Sequence, residues 1–79
     1  MNAETITQQV LTLAARRFRL DAETLLPEQD LFSALGIDSV QALELLSELE
    51  REFRVEIPDY ELLDVRSFAD LATRIAERV

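Results

Sequence analysis

The sequence predicts an all-α protein: a small four-helix bundle with three longer helices, one short helix and a long ordered loop between helices 1 and 2. Only one glycine and two prolines occur in 79 residues, which favours helices over turn-rich β structure. Apolar residues recur at helical spacing over three separate stretches. They make up 48% of the chain, enough for a packed core, so we expect residues 1–79 to form a single domain.

The first helix is predicted over residues 5–18. Thr5 with Gln8 fits a capping box, in which two side chains satisfy free backbone N–H groups at a helix start. The apolar residues of its core-facing stripe are Ile6, Val10, Leu13, Ala14 and Phe18. Residues 19–37 lack a sustained period but contain large apolar residues throughout. We therefore expect an ordered loop pinned to the core, with space for a short turn of helix.

The second helix is predicted over residues 39–53. Its core face comprises Ala42, Leu45, Leu46, Leu49 and Phe53. Pro58 permits a new helix start but not the continuation of the old helix. Residues 59–63 should therefore make one short helical turn, with Leu62 and Leu63 pointing inward.

The last helix is predicted to start after Ser67. Ser67 and Asp70 have the spacing of a capping box. The stripe that follows comprises Phe68, Leu71, Ala72, Ile75 and Val79. Three substantial helices and one short helix can bury these faces only against one another, which predicts the bundle.

Composition narrows the chemistry that this chain can perform. It contains no cysteine, histidine or lysine, hence no thiol nucleophile, no imidazole metal ligand and no Schiff-base amine. The net charge of −8 argues against binding to nucleic acid or to an anionic membrane surface. No apolar run approaches the length of a membrane span, and the N-terminus lacks a signal-peptide pattern. We expect a cytoplasmic, freestanding monomer.

Residues 36–41 predict a sharp turn followed by a capped helix. Gly36 can adopt backbone angles that are closed to other residues. Asp38 is a good N-cap, and Gln41 lies three residues on, where the second side chain of a capping box belongs. Ser39 then becomes the first helical residue, where free N–H groups and the helix dipole would stabilise a phosphate ester. A serine in this position, with no catalytic partner nearby, is typical of an attachment point.

The segment Leu35-Gly36-Ile37-Asp38-Ser39-Val40 resembles the phosphopantetheine attachment motif of acyl carrier proteins, usually leucine-glycine-x-aspartate-serine-leucine. The resemblance covers essentially the whole chain, continuing through Glu44, Leu45, Leu49, Phe53 and Ile57-Pro58-Asp59. Val40 replaces the usual leucine, and Ile37 replaces the small residue common in fatty-acid carriers. At these two positions the sequence resembles carriers of polyketide or other secondary pathways more than the housekeeping fatty-acid carrier.

The resemblance implies a carrier protein rather than an enzyme. A phosphopantetheinyl transferase would attach 4′-phosphopantetheine from coenzyme A to Ser39, with Asp38 as motif residue and helix cap. The thiol of that arm would hold an acyl group as a thioester during fatty acid, polyketide or related biosynthesis. The implied partners are the transferase and the enzymes that load and process acyl groups: a ketosynthase, an acyl-AMP ligase or an acyltransferase.

Negative charge is concentrated in residues 38–64, which hold nine acids and two arginines, a net charge of −7. Basic patches on partner enzymes would dock on this acidic helix transiently. The predicted partner-binding surface comprises Val40, Leu43, Glu44, Ser47 and Glu48. The alternative explanation for the charge is that it serves solubility only. The alternative for Val40 and Leu43 is that both fill the core beneath the long loop.

Three other functions compete with the acyl carrier. An aminoacyl or peptidyl carrier would have the same motif, because the motif does not encode the cargo. An unmodified helical interaction module would explain the Asp38 cap but not the neighbouring pattern. A hydrolase with paired carboxylates needs a rigid cleft, whereas the acids of this helix look solvated. A pantetheine adduct would separate both kinds of carrier from the last two functions.

Overall fold

Six helical segments follow one another along residues 2–79, the part of the chain that the computed structural model describes. The four α-helices are α1 (Ala3–Phe18), α2 (Leu31–Leu35), α3 (Ser39–Phe53) and α4 (Phe68–Ala76). Two 3₁₀ helices, Ala22–Thr24 and Asp59–Asp64, lie in the connections. Within residues 2–79 there is no strand, and no helix is long and apolar enough to cross a membrane. The predicted all-α class is confirmed, and the predicted second helix is α3, with the same bounds.

Helix α1 begins two residues earlier than the sequence predicts. Its N-cap is Asn2, whose side-chain oxygen accepts a hydrogen bond from the Thr5 N–H at 2.8 Å. Thr5 therefore lies inside the first turn, and the predicted capping box of Thr5 and Gln8 is wrong. Asparagine caps a helix at least as well as threonine, so the earlier start adds helical hydrogen bonds without losing a cap.

The core lies between α1, α3 and α4, and α1 packs chiefly against α4. All three helices contribute side chains that are at most 1% exposed: Ile6, Val10, Ala14, Ala42, Leu45, Leu46, Leu49, Phe68, Leu71, Ala72 and Ile75. These residues belong to the predicted stripes, so the core-facing sides of the helices are confirmed. Phe18 and Phe53 are only half-buried because each is the last residue of its helix. Val79 is exposed, against the prediction, because α4 ends at Ala76.

The connection between α1 and α3 is ordered, as predicted, and part of it is helical. Asp21 caps the 3₁₀ helix, and Asp30 caps α2 by accepting the Ser33 N–H at 2.9 Å. The connection is pinned to the core by Leu25, Leu31 and Leu35. Hydrophobic burial at three points thus replaces the long periodic stripe that this segment lacks.

Two backbone hydrogen bonds join this connection to the start of α4. The Leu31 N–H donates to the Arg66 carbonyl at 2.8 Å, and the Ala69 N–H donates to the Pro27 carbonyl at 2.9 Å. They satisfy polar groups that neither helix could satisfy by itself. As a result, α2 has a fixed position relative to α4, and so does the turn that leads into α3.

The second 3₁₀ helix differs from the prediction in which side chains it buries. Leu62 is buried as expected, but Leu63 is 78% exposed. Successive side chains of a 3₁₀ helix point about 120° apart, so at most two of three successive side chains can face the core. The other inward position belongs to Glu61, whose carboxylate receives hydrogen bonds from Arg74, at 2.9 Å, and from Arg78. This ion cluster ties the 3₁₀ helix to the C-terminal end of the chain.

Two carboxylates at helix starts make stability depend on pH at the acid end. The Ser33 backbone N–H lowers the pKa of Asp30 below 3.8. The backbone N–H groups of Ser67 and Arg66 lower the pKa of Asp70 in the same way. A lowered folded-state pKa contributes stability that is fully present above about pH 4 and is lost as the pH falls through the folded-state value. We expect the free energy of unfolding to fall below about pH 4.

A matched variant isolates the contribution of Asp30. Asparagine caps helices about as well as aspartate but does not titrate, so Asp30→Asn should keep α2 intact. Its free energy of unfolding is measured by urea unfolding at several pH values between about pH 5 and 2.5. As the pH falls, this free energy should decrease less steeply than that of the parent. Equal slopes for the two proteins would show that Asp30 carries none of the acid sensitivity.

Candidate functional site

The turn that presents α3 depends on Gly36. This residue is the C-cap of α2 and has a φ of 65°, in the left-handed region, where other residues pay about 1 kcal/mol or more. Its N–H donates to the Phe32 carbonyl at 2.8 Å, and the Ile37 N–H donates to the same carbonyl at 3.2 Å. No atom lies within 4 Å of where a Cβ would stand, so the backbone conformation, not the space, requires glycine.

The predicted capping box at the start of α3 is confirmed. The Asp38 carboxylate accepts the Gln41 N–H at 2.9 Å, and the Gln41 side-chain oxygen accepts the Asp38 N–H at 3.2 Å. The two bonds satisfy two of the free donors at this helix end. They also fix Ser39 as the first residue of α3.

Ser39 is exposed, and its hydroxyl makes no hydrogen bond with residues 2–79. The N–H groups of Ser39 and Val40 likewise have no acceptor in that part of the chain. They lie at the positive end of the α3 dipole, where a phosphodiester is stabilised. The residues present therefore fit a phosphate ester at Ser39 Oγ. Nowhere in residues 2–79 do three metal-ligating side chains come together.

An open apolar depression lies beside Ser39, between α3 and the second 3₁₀ helix. It is lined by Ser39, Leu43, Asp59, Tyr60, Leu62 and Leu63. Sequence reasoning did not associate Tyr60 or Leu63 with the site, although both are largely exposed beside it. No local pattern could have done so, because their position depends on how the 3₁₀ helix packs against α3. The depression offers an apolar surface to anything attached to the serine or docked around it.

The five predicted partner-binding residues do not share one environment. Val40 is 64% exposed and Leu43 is half-buried at the depression, so the alternative that both fill the core is wrong for Val40. Glu44 and Ser47 are exposed, whereas Glu48 is half-buried. Val40, Glu44 and Ser47 are open to a partner that approaches α3 from solvent, whereas Leu43 and Glu48 are only partly accessible.

Arg17 of α1 is paired with two of these residues. Its Nη1 donates to Glu48 Oε2 at 2.7 Å, and its Nη2 lies 3.8 Å from Glu44 Oε2. The sequence does not reveal this cluster, because Arg17 and Glu48 are 31 positions apart and meet only through the packing of α1 on α3. Part of the negative charge predicted for docking is therefore neutralised within the protein.

Comparisons with known proteins agree with this geometry. A family model described as "Phosphopantetheine attachment site" matches residues 8–75. A relative from Thermosynechococcus vestitus named "Acyl carrier protein" is 34% identical over 79 residues, which is 100% of this chain and 98% of the relative. Another of that name, from Syntrophobacter fumaroxidans, is 30% identical over 77 residues, 98% of this chain and 95% of the relative.

Solved structures show the same architecture. An acyl carrier protein from Enterococcus faecalis superposes with a TM-score of 0.80 at 24% identity and covers 100% of both chains, a likeness of fold. A free-standing peptidyl carrier protein from a secondary metabolic pathway of Acinetobacter baumannii superposes with a TM-score of 0.80 at 28% identity, over 96% of this chain and 94% of that one.

The matched region and the fold together define a carrier domain of the phosphopantetheine type. The chain belongs to the acyl carrier protein family. Members of this family are carriers and not catalysts, and their prosthetic group is phosphopantetheine. They interact with phosphopantetheinyl transferases and with biosynthetic enzymes.

Proposed function

We propose that Ser39 is the attachment point of 4′-phosphopantetheine and that the protein carries acyl intermediates in fatty acid, polyketide or related secondary-metabolite biosynthesis. The observation that carries this proposal is the free, exposed Ser39 hydroxyl at the capped start of α3. When attached, the arm supplies a thiol that holds the acyl group as a thioester.

Two other exposed serines provide an internal comparison. Ser33 lies in the short helix α2, and its N–H is already bonded to the Asp30 carboxylate. Ser47 lies in the middle of α3, where backbone N–H groups are used within the helix. Only Ser39, among these three, combines an unbonded hydroxyl with unbonded N–H groups and the positive end of a long helix.

In this function the protein's own residues position and stabilise rather than catalyse. Asp38 and Gln41 hold the start of α3 in one geometry, which fixes the backbone position of Ser39. The N–H groups of Ser39 and Val40, which have no acceptor in residues 2–79, would be available to the phosphate of the arm. The exposed side chains around it leave the transferase free access to the serine.

We propose that the partners are a phosphopantetheinyl transferase and the enzymes that load or process the acyl group. Their docking surface would comprise Val40, Leu43, Glu44, Ser47 and Glu48, together with the depression at Tyr60 and Leu63. Apolar contact at Val40 would supply affinity, and the acids would supply steering and a fast, salt-sensitive association. The protein would work as a cytoplasmic monomer, with residues 1–79 as one carrier domain.

The second candidate is an aminoacyl or peptidyl carrier. It is supported by the similarity to the free-standing peptidyl carrier protein of A. baumannii, whose TM-score of 0.80 equals that of the acyl carrier protein. The two candidates share the Ser39 chemistry and differ only in the cargo. Purification of the protein from its own cells, followed by mass analysis of the thioester-bound group, separates an acyl chain from an aminoacyl group.

The proposed function is tested by intact mass. Coenzyme A and a promiscuous transferase should raise the mass of the purified protein by one phosphopantetheinyl group. A reaction without transferase is the control and should leave the mass unchanged. A protein that stays unmodified under conditions that modify another carrier would count against the proposed function.

A further inference from the structure

Arg17 of α1 pairs with the acidic side chains of α3 in the same protein molecule. Its guanidinium bonds to Glu48 at 2.7 Å and reaches Glu44 at 3.8 Å. It is held in place from its own helix as well, since its guanidinium carbon lies 5.9 Å from the centre of the Phe18 ring. The two acids are i, i+4 neighbours on α3, so one guanidinium can reach both.

We propose that Arg17 competes with the cationic side chains of partner proteins for Glu48. It takes the place on Glu48 that an arginine or lysine of a docking enzyme would otherwise take, and it thereby weakens docking. The proposal rests on the proposed function, because it concerns enzymes that must approach Ser39. It adds a residue on α1 that determines how tightly the acidic face of α3 is bound.

The geometry makes the two acids unequal. The Glu44 side chain is 55% exposed and its contact with Arg17 is long, so a partner cation can bind it without moving anything. The Glu48 side chain is 27% exposed and its Oε2 is already bonded to Arg17, so a partner cation meets a carboxylate whose charge the guanidinium has partly neutralised. Glu44 is therefore the more open docking acid, and Glu48 binds a partner cation fully only when Arg17 leaves.

Displacement of Arg17 is feasible because the pair is at the surface. The Arg17 side chain is 30% exposed, and a pair of this kind contributes little to stability because water screens it. The same screening limits the gain for a partner. The consequence is a docking surface that partners recognise at long range but release readily, as a shuttle between enzymes requires.

The test is the rate of modification by a phosphopantetheinyl transferase with coenzyme A. Arg17→Gln removes the internal cation and should lower KM for the carrier by about two- to fivefold, the range expected for an exposed ion pair, with kcat unchanged. Arg17→Lys keeps a cation, so the KM of this variant should be close to that of the parent. At about 1 M salt, where the Debye length is about 3 Å, parent and Arg17→Gln should converge.

The matched control is Arg16→Gln. Arg16 is the neighbouring residue in the last turn of α1, it is exposed, and it pairs with no acid in residues 2–79. The two variants change the net charge and the charge at the helix end equally. If Arg16→Gln lowers KM as much as Arg17→Gln, the effect is net charge and the proposal is overturned.

Two further results are decisive. An Arg17→Gln protein that melts at a lower temperature but keeps the parent KM would show that Arg17 is only a structural residue, and would overturn the proposal. Failure of the transferase to modify the parent at all would overturn the proposed function and the role of Arg17 with it. A lower KM for Arg17→Gln alone, abolished by salt, supports the competitor role.

Discussion

Replacement of Ser39 with alanine is expected to abolish modification completely while leaving the fold intact. The hydroxyl is the group that would form the phosphodiester, and alanine has none. The fold should tolerate the change because the hydroxyl makes no hydrogen bond within residues 2–79 and alanine is the best helix former. Intact mass after reaction with coenzyme A and transferase measures modification, and far-ultraviolet circular dichroism measures helix content.

The chain offers two matched controls for this experiment. Ser33→Ala and Ser47→Ala each remove an exposed serine from a helix, and both should reach the modified mass when the reaction is run to completion. Ser47 belongs to the proposed docking surface, so the end-point mass is compared and not the rate. Peptide mapping of the modified parent should place the adduct on the peptide that contains Ser39. An adduct on the Ser39→Ala protein, or loss of modification in either control, would show that the attachment point is elsewhere.

Replacement of Glu61 with alanine is expected to cause a large loss of stability, about 1.5–3 kcal/mol in the free energy of unfolding. Glu61 is 8% exposed and accepts hydrogen bonds from Arg74 and Arg78. Bonds between charged groups are stronger than neutral ones, and their removal leaves two guanidinium groups against a half-buried surface. Urea unfolding followed by circular dichroism measures the change.

The control for Glu61 is an acid outside the ion cluster. Glu56 is exposed and pairs with no arginine in residues 2–79, so Glu56→Ala should change stability by no more than about 0.5 kcal/mol. Hydrogen exchange should also increase in residues 59–64 of the Glu61 variant, because the cluster ties this 3₁₀ helix to the end of the chain. Equal stability of the two variants would show that the cluster is merely a solvated surface contact.

The sequence predicts the fold well where the signals are local. The starts of α3 and α4 are marked by capping boxes that the structure contains. The core-facing stripes were also predictable, because helical geometry alone places residues three and four apart on one face. The setting of Ser39 follows from the same local information, namely Gly36, Asp38 and Gln41.

The features that the sequence does not predict depend on packing between distant segments. Leu63 is exposed, against the prediction, and Glu61 is buried, because the orientation of the second 3₁₀ helix depends on its packing against α3. The pairing of Arg17 with Glu48 requires α1 to lie against α3, which no neighbouring residue indicates. The earlier start of α1 is a smaller difference, since several polar residues near the N-terminus could have capped it.

The two backbone bonds between the α1–α3 connection and the start of α4 have a consequence for synthesis of the chain. They close a large loop, and the whole of α3 lies inside it. Loop closure of this kind forms only after both ends exist and come together. A nascent chain that lacks residues 66–69 has no partner for Leu31 or Pro27, and its α2–α3 turn depends on local bonds alone. Ser39 is synthesised well before α4, yet its folded setting is complete only when the start of α4 has been made.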